Sequence, residues 1–199
     1  MKNYYENVPE NREDNFGKFI KIIILVLAGA FLLKWAITSG YFFKDSLDGD
    51  GYTMNSPPGW ERVEKEKIKR LEDENTSIVA YVTKEKEIYT ERPYAQIAVY
   101  SIKLPRNMWM EDEYPTILSA IKNSGLKLVD HGELKINDML FKWVLVDNEE
   151  DDIISLQFFH IPENKKFYKI IYSSSARHFN SYRPVFESVK DTFKLKFAF

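Results

Sequence analysis

Between Lys21 and Lys34 the chain runs without a charge through Ile22-Ile23-Ile24-Leu25-Val26-Leu27-Ala28-Gly29-Ala30-Phe31-Leu32-Leu33, inside an apolar stretch that reaches from Phe19 to Phe43. No later part of the sequence is comparable. A helix crossing a bilayer needs about 20 mostly apolar residues at roughly 1.5 Å each, and residues 19–37 would extend about 28 Å on that rise. A core helix of this length is rarely apolar on every side. The run therefore predicts a transmembrane helix over residues 18–43. Leu25 and Phe31 would lie in the hydrocarbon. Lys21 and Lys34 would snorkel to the headgroups, and Trp35 would sit in the aromatic belt with Tyr41, Phe42 and Phe43.

A cleaved signal peptide has a short basic n-region and a small-residue cleavage site. Here the n-region is long and carries Glu6, Glu10, Glu13 and Asp14, which favours an uncleaved signal anchor. Lys2, Arg12, Lys18 and Lys21 precede the span. Lys44 follows it with Asp45, Asp48 and Asp50. This bias points the N-terminus inward and the C-terminal part to the periplasm, lumen or exterior.

The remaining organisation reads as a flexible cytoplasmic tail (1–17), a charged linker (44–50) and one domain (51–199) of ordinary size. The chain has no cysteine, hence no disulfide framework, thiolate site or Cys nucleophile. A formal net charge of -2 and the lack of a basic stripe argue against nucleic-acid binding. Ser46, Asp48, Asp50 and Gly51 stand at calcium-loop spacing. The position that needs a bidentate Glu is Pro57, so a solvated linker is the reading kept. The fragment 51–199 is expected to be soluble and to melt cooperatively.

Within that domain, 52–55 reads as a strand ending in the turn Ser56-Pro57-Pro58-Gly59-Trp60. Residues 61–75 are charge-rich, a short helix or an irregular excursion. Residues 77–83 and 94–102 are β-branched and aromatic, apolar on both faces, and predict strands of a sheet covered on each side. A helix is expected at 112–123, with Asp112 as its cap and Pro115 in its first turn. Tyr114, Ile117, Leu118 and Ile121 form its stripe, and Gly125 ends it. Strands at 127–136, 139–147, 153–161 and 167–173, joined by short turns, predict an antiparallel meander. Asn137-Asp138 is its clearest hairpin signal. A final helix is expected at 181–193, with Pro184 in the first turn and Tyr182, Val185, Phe186, Val189 and Phe193 as its stripe. The fold class is α+β in layers.

The strand ending in Pro58-Gly59-Trp60, the helix after the next strands, the long meander and the closing segment Val185-Phe186-Glu187-Ser188-Val189-Lys190-Asp191-Thr192-Phe193-Lys194 together resemble the PsbP-like family. The resemblance covers about residues 51–196. It implies an α/β/α sandwich about an antiparallel sheet, here preceded by one transmembrane helix. The best-known members are extrinsic subunits on the lumenal side of photosystem II that support retention of calcium and chloride, and many bacterial relatives have no assigned role. This chain departs from the photosynthetic pattern by its anchor. The resemblance implies the fold and a binding or assembly role.

No residue set makes a catalytic signature. His131, His160 and His178 are not at ligand spacing, and Ser173-Ser174-Ser175 has no nucleophile-elbow context; it reads as the lead into the last helix. Two features are candidate interaction sites. Met108, Trp109 and Met110 form an apolar loop that is either an adhesive patch or packed on the following helix. Glu149, Glu150, Asp151 and Asp152 form an acidic hairpin tip, a solvated tip or a contact for a cation or basic partner. The expectation is a non-catalytic, cofactor-free, membrane-anchored module whose partners are the lipid bilayer and another membrane or envelope protein. The alternatives are a small-molecule, lipid or ion-binding domain and, third, a hydrolase. A deep polar cavity would favour the second, and converging His and carboxylate groups the third.

Overall fold

The computed structural model describes residues 47–162 and 165–196. The chain divides into two units, Met1–Phe42 and Phe43–Phe199. The predicted membrane segment, with Lys21, Leu25, Phe31, Lys34 and Trp35, lies outside the described residues. Among those described, no helix is long and apolar enough to cross a membrane.

Seven strands form one antiparallel sheet. They are β2 (Glu61–Arg62), β3 (Thr76–Val82), β4 (Ala95–Lys103), β5 (Lys127–Ile136), β6 (Met139–Asn148), β7 (Ile153–His160) and β8 (Lys166–Ser175), in the spatial order β2-β3-β4-β8-β7-β6-β5. The meander forms as its turns dictate. Asn137 and Asp138 both take positive φ, 46° and 66°, the pattern that lets a two-residue turn match the strand twist. The four serial strands pair in sequence. Then β4 closes on β8 in register from Ala95↔Ser174 to Lys103↔Lys166.

Alternation sorts the side chains into two cores. One face carries Val79, Tyr81, Ile97, Val99, Phe141, Leu156, Phe158, Tyr168, Ile170 and Tyr172. The last helix, α3 (Ala176–Lys190), packs here; Phe186 stacks on Tyr172 at 5.1 Å between ring centroids. The other face carries Val144, Val146 and Phe159, covered by the stripe Tyr114, Ile117, Leu118 and Ile121 of α2 (Met110–Asn123). Helices therefore lie on both faces of an antiparallel sheet. A one-turn helix, α1 (Lys65–Ile68), follows β2 and buries Ile68, so the 61–75 stretch holds both an edge strand and a helical turn.

Three boundaries differ from the sequence reading. Helix α2 starts at Met110, with Trp109 rather than Asp112 as its N-cap, and Pro115 lies inside it. Helix α3 starts at Ala176, not 181, and Pro184 lies inside it as well. Proline marks a first turn only when its missing N–H would have been unpaired anyway. Here the apolar stripe extends back to Phe179, 4% exposed and packed on Tyr172, and that burial overrides the local signal.

The third difference is at the linker. Leu47 is 0% exposed, belongs to the α3-side core, and its N–H donates to the Met54 carbonyl at 2.6 Å. Gly49 then bridges Tyr52. The strand β1 (Tyr52–Thr53) pairs on its other side with β9 (Lys194–Leu195). A Cβ at Gly49 would lie 2.3 Å from the Tyr52 ring, so only glycine fits. Asp48 and Asp50, the carboxylates at calcium-loop spacing, face Lys196 at 3.7 Å and Lys166 at 2.7 Å. Residues 47–50 are part of the fold.

Candidate functional site

The strands give the domain two ends about 30 Å apart, the length of a nine- or ten-residue strand at roughly 3.3 Å per residue. The two sequence-predicted interaction features fall at opposite ends.

The first end holds the close of β4, β5 and β7 and the start of β6 and β8. Its loop from Leu104 to Trp109 is pinned by the Leu104 N–H donating to the Lys165 carbonyl at 2.8 Å. The apolar trio splits there. Met110 is 6% exposed and packs in the α2 core, whereas Trp109 is 62% exposed and Met108 half-buried. Met108 and Trp109 line a cleft of about 440 Å³ with Asn107, His160, Ile161 and Lys165. Leu140, on the same end, is 40% exposed. Lys103, Arg106, Lys135 and Lys165 are exposed at this end of the sheet, as are Glu111, Asp112 and Asp138.

His160 ties that end together. Its Nδ1 lies 2.8 Å from the Leu140 carbonyl, and its ring stacks on Phe141 at 4.8 Å. Burial pushes its pKa below the ordinary histidine value, outweighing the Leu140 carbonyl, which raises it. With the folded value depressed, the unfolded chain takes up the proton first. Stability is whole above the unfolded value of 6.5 and is lost as pH falls through the folded one. Thermal melts should therefore show a lower midpoint at pH 5.5 than at pH 7.5, a drop that His160→Gln reduces. Equal pH dependence in the variant would refute this role.

The second end holds the acidic tip between β6 and β7, the loop between β3 and β4, and the start of α3. Glu149 accepts from Lys127 Nζ at 2.7 Å, which holds the exposed Glu149 carboxyl below its usual range. Asp151 accepts from Arg92 Nη2 at 3.4 Å and from Asn148 Nδ2 at 2.9 Å. Asp152 takes φ 56°, and its carbonyl accepts the Ala176 N–H at 3.0 Å, which fixes the tip against the start of α3. Glu150 is exposed at the tip. The tip is thus an ordered acidic edge.

A cleft of about 310 Å³ lies beside it, lined by Arg92, Asp151, Asp152 and Ser173–Ser175 among others. Some of its polar groups are engaged: Gln96 donates to Ser173 Oγ at 2.8 Å, and Ser174 donates to the Tyr94 carbonyl at 2.6 Å, whereas the buried Ser175 Oγ has no hydrogen-bond partner among the described residues. The Glu87 carboxyl is held below its usual range by nearby hydroxyls, of which Ser175 lies close by and Thr90 donates to it at 3.0 Å, and by Arg177 and His178. Next to Glu87, Ile88 and Tyr89 are 87% and 97% exposed. Sequence reading passed over this pair, whose signal was two large apolar residues in an otherwise charged loop.

The three histidines stay apart. His131 is on β5, His160 closes β7, and His178, in α3, lies 4.0 Å from the Tyr94 ring centroid. Among the described residues, no three His, Asp or Glu side chains are placed to hold a metal ion.

The sequence matches no protein-family model and no curated protein. Similar solved structures do exist. PA94 of Pseudomonas aeruginosa, a protein of unknown function, superposes at a TM-score of 0.53 with 13% identity, over 73% of this chain and 92% of that one. The likeness to PA94 is one of fold. The solution structure of cyanobacterial PsbP (CyanoP) from Synechocystis sp. PCC 6803 matches at a TM-score of 0.48 and 13% identity, over 74% of this chain and 88% of that one. Identities this low concern the fold and carry no activity across.

Proposed function

We propose that this chain is a membrane-anchored, non-catalytic binding or assembly module. Residues 18–43 tether it as a single-pass span, N-terminus inside. The domain stands on the extracytoplasmic side and engages another membrane or envelope protein through its second end. The observation that carries this reading is Ile88 and Tyr89, almost fully exposed beside an ordered acidic edge. Exposed large apolar groups contribute nothing to the core, and an aromatic anchor rimmed by charge is the anatomy of a protein interface. A small-molecule reading would look to the 310 Å³ cleft, where Gln96, Ser173 and Ser174 are already engaged in hydrogen bonds.

A photo-crosslinking residue at Ile88 in the full chain, expressed in its native membrane, tests the reading. It should capture one membrane or envelope protein. Tyr89→Ser should weaken that association about 30-fold, the effect of losing an interface hot spot of roughly 2 kcal/mol. Absence of a crosslink, or one insensitive to Tyr89→Ser, would rule out this end as the docking surface. Recovery of the full chain in the aqueous fraction after alkaline extraction would refute the anchor.

A further inference from the structure

We propose that the cleft between the β3–β4 loop and the acidic tip receives a lysine side chain of the protein that docks on Ile88 and Tyr89. The inference rests on the docking reading above and deepens it: it names the chemistry of the partner residue that enters beside those two side chains.

The loop is itself a small hairpin. Lys86 bridges Pro93, and the Glu87 N–H donates to the Arg92 carbonyl at 2.8 Å. Glu91, at φ 55°, donates its N–H to the Glu87 carbonyl at 3.0 Å. These bonds set Ile88 and Tyr89 at the apex. They place Glu87 and Arg92 at the base, where both line the 310 Å³ cleft.

Charge decides what fits there. Among the described residues, the lining carries the carboxylates of Glu87, Asp151 and Asp152 and the guanidinium of Arg92. Arg92 is engaged by Asp151, with Nη2 3.4 Å from its Oδ1 and Nη1 3.3 Å from its carbonyl. Glu87 accepts from the Thr90 hydroxyl at 3.0 Å, and neither Glu87 nor Asp152 forms an ion pair with a described residue. Arg177 and His178, at the start of α3, draw the Glu87 carboxyl down without closing an ion pair with it. The nearby cations Lys84 and Lys127 are held by Glu61 at 4.0 Å and Glu149 at 2.7 Å, and Lys86 lies outside the lining.

The Ser175 Oγ adds a third acceptor. It is buried, its residue lines the same cleft, and it has no hydrogen-bond partner among the described residues. A buried hydroxyl without a partner is unfavourable, and a ligand N–H relieves it. Two carboxylates without a cation and one hydroxyl without a partner match the three donors of an ammonium. Pro93 and Ile153, both half-buried, give its aliphatic stem an apolar wall. The cleft volume is at the low end for ligand pockets, as suits one side chain. An aromatic anchor beside an acidic slot thus complements a partner segment that sets an apolar residue next to a lysine.

The test uses the full chain in lipid nanodiscs with carbon-13 in its isoleucine methyl groups, Ile153 reporting on the cleft. N-acetyl-lysine-N-methylamide should shift the Ile153 methyl signal saturably. The norleucine analogue, which has an apolar side chain and no ammonium, should bind at least about fivefold more weakly. Glu87→Gln and Asp152→Asn should each weaken the lysine titration about fivefold. Asparagine tolerates the positive φ at 152, so the turn is kept. Glu150→Gln, outside the lining, should leave it within about twofold.

Equal titration by the norleucine analogue, or an equal loss from Glu150→Gln, overturns the slot. The Ile88 crosslink separates this inference from the docking reading. A Tyr89-sensitive crosslink that survives Glu87→Gln and Asp152→Asn together overturns the lysine and leaves docking standing. A lysine titration as expected, in a chain that gives no crosslink, overturns the partner lysine and leaves a site for a free amine.

Discussion

Replacing Phe193 with alanine is expected to destabilise the domain by about 3–5 kcal/mol, the range for emptying a buried phenylalanine site. Phe193 is 0% exposed and joins elements distant in sequence. Its ring stacks on Tyr52 at 5.4 Å and meets Phe141 and Tyr168 edge-on at 5.6 and 5.7 Å. Those three rings belong to β1, β6 and β8, so one deletion loosens the junction between the small sheet and the large one. The site is walled by rigid aromatics and can collapse little, which favours the upper part of the range. Against a total stability of about 5–15 kcal/mol, the midpoint should fall by roughly 10 °C in a thermal melt followed by near-UV circular dichroism. A shift under a third of that would mean that the cluster does not hold the junction.

The second large effect concerns the start of the domain. A chain beginning at Gly51 should melt well below one beginning at Phe43. Leu47→Ala in the longer chain should account for most of the gap, about 2–4 kcal/mol. The shorter chain loses a fully buried leucine, the Leu47–Met54 hydrogen bond and the Asp50–Lys166 pair at once. The exposed ion pair contributes little, so the leucine dominates. Coincident melts for the two chains would place the fold boundary back at Gly51.

Much of the architecture was legible because local signals and tertiary demands agreed. The Asn137-Asp138 turn needs positive φ at both positions and has the residue types that tolerate it. The meander strands alternate, and their alternation is what the two helices cover. The Tyr114-Ile117-Leu118-Ile121 stripe places α2 correctly even though its start was misread.

Leu47 was not legible. A single leucine among Lys44, Asp45, Asp48 and Asp50 carries no periodicity, and only the facing residue Met54 shows that it is interior. The same holds for the candidate surfaces. Met108, Trp109 and Met110 are chemically alike in sequence. The first turn of α2 turns Met110 inward and leaves Trp109 out, a choice set by helix phase against the sheet.

The amino-acid sequence by itself determined the layered α+β class, the strand succession and the apolar run that predicts an anchor. All of these follow from periodicity and turn chemistry, which act over a few residues. Tertiary structure alone decided that residues 47–50 are built into the fold and that the Trp109 loop and the acidic tip stand at opposite ends. It also decided that Ile88 and Tyr89 project freely. The physical reason is that burial and relative position are properties of pairs far apart in the chain, fixed only when β4 closes on β8 and β1 on β9.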